Sequence, residues 1–114
     1  MQIEFARGDS YERGFVLKDK STGRVITDTF DEVYMTVKKM WTDHEFCFQK
    51  RMTTGGIVYD GEGHYSLYIE PEDTNMLEFG EYDFDFEFKR DSGYKRTFYG
   101  KLRLLKEVTH QNNE

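Results

Sequence analysis

Three carboxylates at alternate positions, Asp83, Asp85 and Glu87, are the side chains in this chain best suited to do chemistry. A carboxylate pair can work as general acid and base, and a group of them can hold a divalent cation. Alternate spacing in an extended strand sets them in a row on one face rather than around a point. Calcium sites also draw on backbone carbonyls that converge from a loop, which a flat strand face cannot supply. The row therefore reads as the solvated side of a sheet, with Asp83 neutralised across the strands by Lys101.

The other reactive types are sparse. His44, His64 and His110 stand at no metal-ligand spacing from one another or from Cys47, the single cysteine, and they read as surface residues. Cys47 lies between Phe46 and Phe48 in a strand-like run, with no neighbouring base and no glycine-rich oxyanion loop, and reads as an inert thiol. Asp60-Gly61-Glu62-Gly63 lacks the Lys-Ser/Thr ending of a phosphate loop and the length of a calcium loop, so it reads as a hairpin turn. Arg7-Gly8-Asp9 spells an adhesion tripeptide that three residues produce by chance. Trp41, beside Met40, follows a strand and is expected to be partly buried. No catalytic, cofactor-binding or metal-ligating residue is assigned, and no enzyme activity is expected.

The elements around these residues are strands. Tyr82, Phe84, Phe86 and Phe88 alternate with the carboxylates, which gives one aromatic and one charged face. If Asp91-Ser92-Gly93 is a three-residue loop with Gly93 in the left-handed region, Arg90 faces Tyr94 and the pairs that follow are fixed from there. Phe86 then meets Phe98, Phe84 meets Gly100, Tyr82 meets Leu102 and Asp83 meets Lys101. A loop one residue longer or shorter would turn Phe98 and Leu102 into water. Gly100 opposite Phe84 leaves room for the ring.

Upstream, Ile3 and Phe5 give a first strand broken by Gly8-Asp9-Ser10. Phe15 to Leu17 give a second, and Val25-Ile26 a brief edge segment. Val33, Met35 and Val37 mark a third strand, and Phe46 to Phe48 a fourth. Ile57 to Tyr59 and Tyr65 to Ile69 flank the Asp60-Gly61 turn. Pro71 to Leu77 holds at most one short helical turn, with Pro early and acids in the first turn. Turn signals recur every ~8–12 residues, as in a sandwich or barrel.

The 114 residues make one domain, expected over 1–109, with a polar, disordered tail at 110–114. A net charge of -6 without a basic patch speaks against nucleic acid. Aromatics at 17% in patterned runs speak against disorder. Met1 to Ala6 has no apolar core of a signal peptide, and no apolar run is long enough to span a membrane. One cysteine permits no intrachain disulfide and fits a reducing compartment.

Leu77-x-x-Gly80-x-Tyr82 resembles the corner before strand F of immunoglobulin-like sandwiches, where the tyrosine hydroxyl ties back to upstream backbone. The expected fold is an all-β, immunoglobulin-like antiparallel β-sandwich of about seven strands. A narrower resemblance runs through Arg7-Gly8-Asp9-Ser10, Lys18 to Gly23, Val33 to Lys38, Tyr65 to Ile69, Pro71-Glu72-Asp73-Thr74, Leu77, Gly80, Tyr82 to Asp85, Thr97, Gly100 and Glu107-Val108-Thr109. In that order these resemble the small β-sandwich domains of tailed phages and prophages, such as the N-terminal domain of upper-baseplate proteins. The resemblance implies a non-enzymatic structural or assembly-accessory protein without cofactors. It would contact other tail or baseplate proteins or its own copies, in the bacterial host cytoplasm during assembly or in the virion. No helical or receptor-binding region of the baseplate type follows the sandwich in this sequence. The rival readings are a carbohydrate-binding or adhesion module using Tyr34, Tyr68 and Trp41, and an enzyme using the acidic row.

Overall fold

Alternating apolar side chains need a second layer to cover them, and the two sheets of this protein supply it to each other. The computed structural model describes residues 1–107, so the tail expected at 110–114 lies outside the described residues. The strands are β1 (Gln2–Ala6), β2 (Tyr11–Val16), β3 (Glu32–Lys38), β4 (Phe48–Arg51), β5 (Ile57–Gly61), β6 (His64–Ile69), β7 (Gly80–Lys89) and β8 (Lys95–Leu105), with one helical turn α1 (Pro71–Thr74) before β7. A five-stranded sheet in the order β1-β8-β7-β3-β4 faces a three-stranded sheet in the order β2-β6-β5. This is the immunoglobulin-like arrangement, with strands G, F and C (β8, β7 and β3) flanked by β1 and β4 on one sheet and B, E and D on the other. Every strand pairing is antiparallel except β1 with β8, which run parallel from Gln2↔Lys101 to Ala6↔Leu105.

The core is aromatic. Phe15 on β2 lies 4.9 Å from Phe86 on β7, and Tyr65 on β6 lies 5.5 Å from Phe88, centroid to centroid. These contacts join the two sheets. Val33, Met35 and Val37 of β3, and Leu102 and Leu104 of β8, complete the same layer and are almost wholly buried.

The β7–β8 hairpin has the expected register, with Phe86↔Phe98, Phe84↔Gly100, Tyr82↔Leu102 and Asp83↔Lys101 paired. Its loop closes through Arg90 N–H to the Tyr94 carbonyl at 2.9 Å, with Gly93 at φ 98°. The corner also forms: the Tyr82 hydroxyl donates to the Glu78 carbonyl at 2.6 Å.

The other elements differ in detail. Phe46 is not in a strand: β4 begins at Phe48, and Phe46 is exposed. The pairing ends there because β3 stops at Lys38, whose Nζ instead donates to the Asp43 carbonyl at 2.7 Å and draws the connection aside. The β5–β6 turn is centred two residues later than Asp60-Gly61 suggests. Glu62 (φ 52°) and Gly63 (φ 81°) form its tip between paired Gly61 and His64. Asp60 falls at the register shift, and its carboxylate accepts the Ser66 hydroxyl at 2.6 Å. Val25 forms a single bridge to Lys18 rather than a strand.

Candidate functional site

The outward face of the five-stranded sheet carries the carboxylate row, and each member has a different fate. Asp83 is paired with Lys101 and accepts the Trp41 backbone N–H at 2.9 Å. The Lys101 hydrogen bond holds its carboxyl below the usual range, against some burial. Burial raises Glu87, but hydrogen bonds from Tyr34 and Lys95 outweigh it and leave the group lowered. Among the described residues, the Asp85 carboxylate between them has no ion pair or hydrogen bond. Burial first, then the neighbouring Glu87, pushes its carboxyl up. The row is therefore two carboxylates neutralised by lysines around one that is half-buried and bonded to no side chain among the described residues.

Asp85 sits in a groove of about 490 Å³. The central strand β7 supplies Asp83 and Asp85, β3 supplies Thr36 and Lys38, and β8 supplies Tyr99 and Lys101. Trp41 comes from the β3–β4 connection. That connection is held over the sheet by the Trp41–Asp83 and Lys38–Asp43 bonds. Trp41 is 73% exposed and Tyr99 74% exposed, against the partial burial expected of Trp41. Trp41 stays in water because only its backbone is anchored: the Asp83 carboxylate takes the N–H and the indole is left outside.

Tyr99 carries no sequence-level assignment, yet a signal for it exists. The register that opposes Phe86 to Phe98 also opposes Asp85 to Tyr99 on the wet face, and the structure has that pair. Of the aromatics singled out in the sequence, Tyr34 lies on the same sheet but is covered by Arg51 at 5.1 Å and Lys89 at 5.6 Å. Tyr68 belongs to β6 in the opposite sheet. The three do not form one surface.

A second recess lies between the sheets. β1 covers only Lys101–Leu105 of β8, so Lys95–Gly100 has no strand partner on that side among the described residues. Below this free edge is an apolar cleft of about 470 Å³ between Phe98, Phe84 and Phe86 on one side and Phe15 and Leu17 on the other, with Lys18 and Lys20 at its mouth.

The remaining sequence candidates are scattered. His44 and His64 are exposed and apart from both recesses, and His110 lies outside the described residues. Cys47 is half-buried, and burial pushes its thiol up, away from the thiolate a nucleophile needs. Arg7 is committed to structure: it donates to the Leu77 carbonyl at 3.1 Å, pairs with Glu107 at 2.9 Å and stacks over Phe79. Gly8 N–H donates to the buried Thr74 hydroxyl at 2.8 Å, which ties the tripeptide to α1. Among the described residues no group of three or more His, Cys, Asp and Glu is placed to hold a metal ion, and no helix is long and apolar enough to cross a membrane.

The state of Asp85 predicts a pH effect. A carboxyl raised in the folded state destabilises the fold above its own pKa, and that penalty fades as pH falls towards the unfolded value. Asp83 is lowered, so it does the reverse: its contribution is present above the unfolded value and is lost as pH falls through the folded one. Asp85→Asn is therefore expected to raise the thermal midpoint by a few degrees at neutral pH and to lose that advantage near pH ~4. A lower midpoint for the variant at neutral pH would show that the carboxylate has a stabilising partner.

The groove and the cleft thus belong to an immunoglobulin-like sandwich, and what they could do follows from shape and exposure. The chain matches no protein-family model and no curated protein.

Proposed function

We propose that the protein is a non-enzymatic structural or assembly-accessory protein of a tailed phage or prophage, acting through protein–protein contact at the tail or baseplate. The observation that carries this reading is the free half-edge of β8, Lys95–Gly100, above the apolar cleft. Unpaired backbone N–H and C=O groups accept an added strand, and the cleft offers a pocket for its alternate apolar side chains. A second support is the sequence resemblance, within which Tyr82 makes a corner bond to the Glu78 carbonyl and Leu77 packs against the core. Contact can be with another tail protein or with a second copy of this chain. The protein would reside in the host cytoplasm during assembly, or in the particle.

Mass spectrometry of particles and assembly intermediates purified after induction of the source strain tests this. The protein is expected in one of them at a fixed ratio to tail proteins. Its absence from all of them overturns the reading.

A further inference from the structure

The groove on the outer sheet face shares Tyr99 and Gly100 with the half-open edge of β8, but its chemistry calls for a different kind of ligand. We propose that it is a binding site for a neutral oligosaccharide, with a sugar ring held against Trp41 and Tyr99 and its hydroxyl groups bonded to Asp85. Three observations carry this.

The first is the placing of the aromatics. Trp41 and Tyr99 come from elements that flank β7, and each leaves about three-quarters of its surface in water. A large ring in water loses free energy by covering its face. A pyranose presents C–H groups on its faces and hydroxyls round its rim. It can therefore stack on aromatic rings while its rim remains free to hydrogen bond.

The second is Asp85. It is a half-buried acceptor whose carboxylate no donor among the described residues uses, whereas Asp83 and Glu87 on either side are both paired with lysines. An acceptor partly removed from water gains most from a ligand that brings donors. Sugar hydroxyls are donors, and Lys38 and Lys101, bonded respectively to the Asp43 carbonyl and to Asp83, line the same groove and keep further N–H groups for a ligand's oxygens.

The third is charge and size. Lys38 and Lys101 balance Asp83 and Asp85 in the lining, so the groove offers no net complement to an ion. Its volume of about 490 Å³ falls in the small-molecule range of roughly 300–1,000 Å³.

Trp41 is the only tryptophan of the chain, so intrinsic fluorescence reports the groove directly. The purified protein is screened on an array of bacterial wall and surface oligosaccharides. The strongest hit is then titrated by fluorescence and by calorimetry. The expected result is a saturable fluorescence change with a Kd on the order of 1 µM to 1 mM. Trp41→Ala, Tyr99→Ala and Asp85→Ala should each weaken calorimetric binding at least ~10-fold while the thermal midpoint shows the chain still folded. Trp41→Phe, which keeps a ring, should retain most of the affinity.

The proposal is overturned if no oligosaccharide is retained, or if the hit binds Trp41→Ala and Tyr99→Ala as tightly as the unaltered chain. It is also overturned if a lysine-rich peptide, and no sugar, shifts the fluorescence: Asp85 then serves a protein partner. The array reads the isolated chain, so its outcome is independent of whether the protein is found in particles.

Discussion

Phe88→Ala is expected to lower the unfolding free energy by about 3–5 kcal/mol, the range for removing a buried aromatic ring. Phe88 is 1% exposed and meets five other rings: Phe15, Phe30, Tyr65, Phe86 and Phe98, at centroid distances from 5.3 to 6.5 Å. Those rings come from β2, the segment before β3, β6, β7 and β8. One truncation thus removes contacts that join the two sheets and that hold Phe30 against the end of β7. The loss combines the hydrophobic transfer of the ring with a cavity that the rigid neighbours cannot fill. A domain of this size holds about 5–15 kcal/mol in all, so the variant sits near the limit of folding. Urea unfolding checks this: the midpoint should fall while the denaturant slope stays constant. A loss below ~1.5 kcal/mol would mean that the ring cluster collapses around the gap and is not what couples the sheets.

The same hairpin shows what the amino-acid order makes legible. The β7–β8 register could be read because two independent signals agree on it. Inward parity at Tyr82, Phe84, Phe86 and Phe88 demands one loop length, and Gly93 supplies the left-handed residue that this loop needs. Tyr82 could be placed at a corner because Leu77 and Gly80 bracket it. The direction of β1 could not be read, since Ile3 and Phe5 alternate identically whether their partner runs parallel or antiparallel. The turn at Glu62-Gly63 was hidden because Asp60-Gly61 has the commoner turn chemistry, and the bulge that shifts the register leaves no local mark.

The groove was harder to read than the fold. Its floor lay in plain view as Asp83 and Asp85, but their difference did not. Which of them is neutralised depends on Lys101 and on the backbone of Trp41, 42 residues away in sequence from Asp83. The exposure of Trp41 depends on that same long-range bond. The groove is built from side chains whose neighbours are set by tertiary contact, whereas the fold rests on periodicity that each segment carries by itself.

Gly100→Ala is expected to destabilise the protein by about 1–3 kcal/mol, although a single methyl group is the smallest addition available. An added Cβ would lie 2.3 Å from Cζ of Phe84, 2.7 Å from its Cε1 and 2.5 Å from the Met1 carbonyl oxygen. No conformation of the new side chain relieves this, because Cβ is fixed by the backbone. Either the ring or β1 has to move. Phe84 is 3% exposed and packs edge-on against Phe86 at 5.7 Å, so its ring has little free space. The Met1 carbonyl accepts the Lys101 N–H at 3.3 Å, the first contact of β1 along β8. Displacement of β1 is the easier response, and it lengthens the free edge of β8. The variant should therefore show faster hydrogen exchange at Lys101 and Ile3 as well as a lower urea midpoint. Shortening the ring in the same background tests the cause. Phe84→Leu with Gly100→Ala should be less destabilised than the two separate effects added, by at least ~1 kcal/mol. Additive losses would mean that the glycine is required by the backbone of β8 itself and not by the ring opposite.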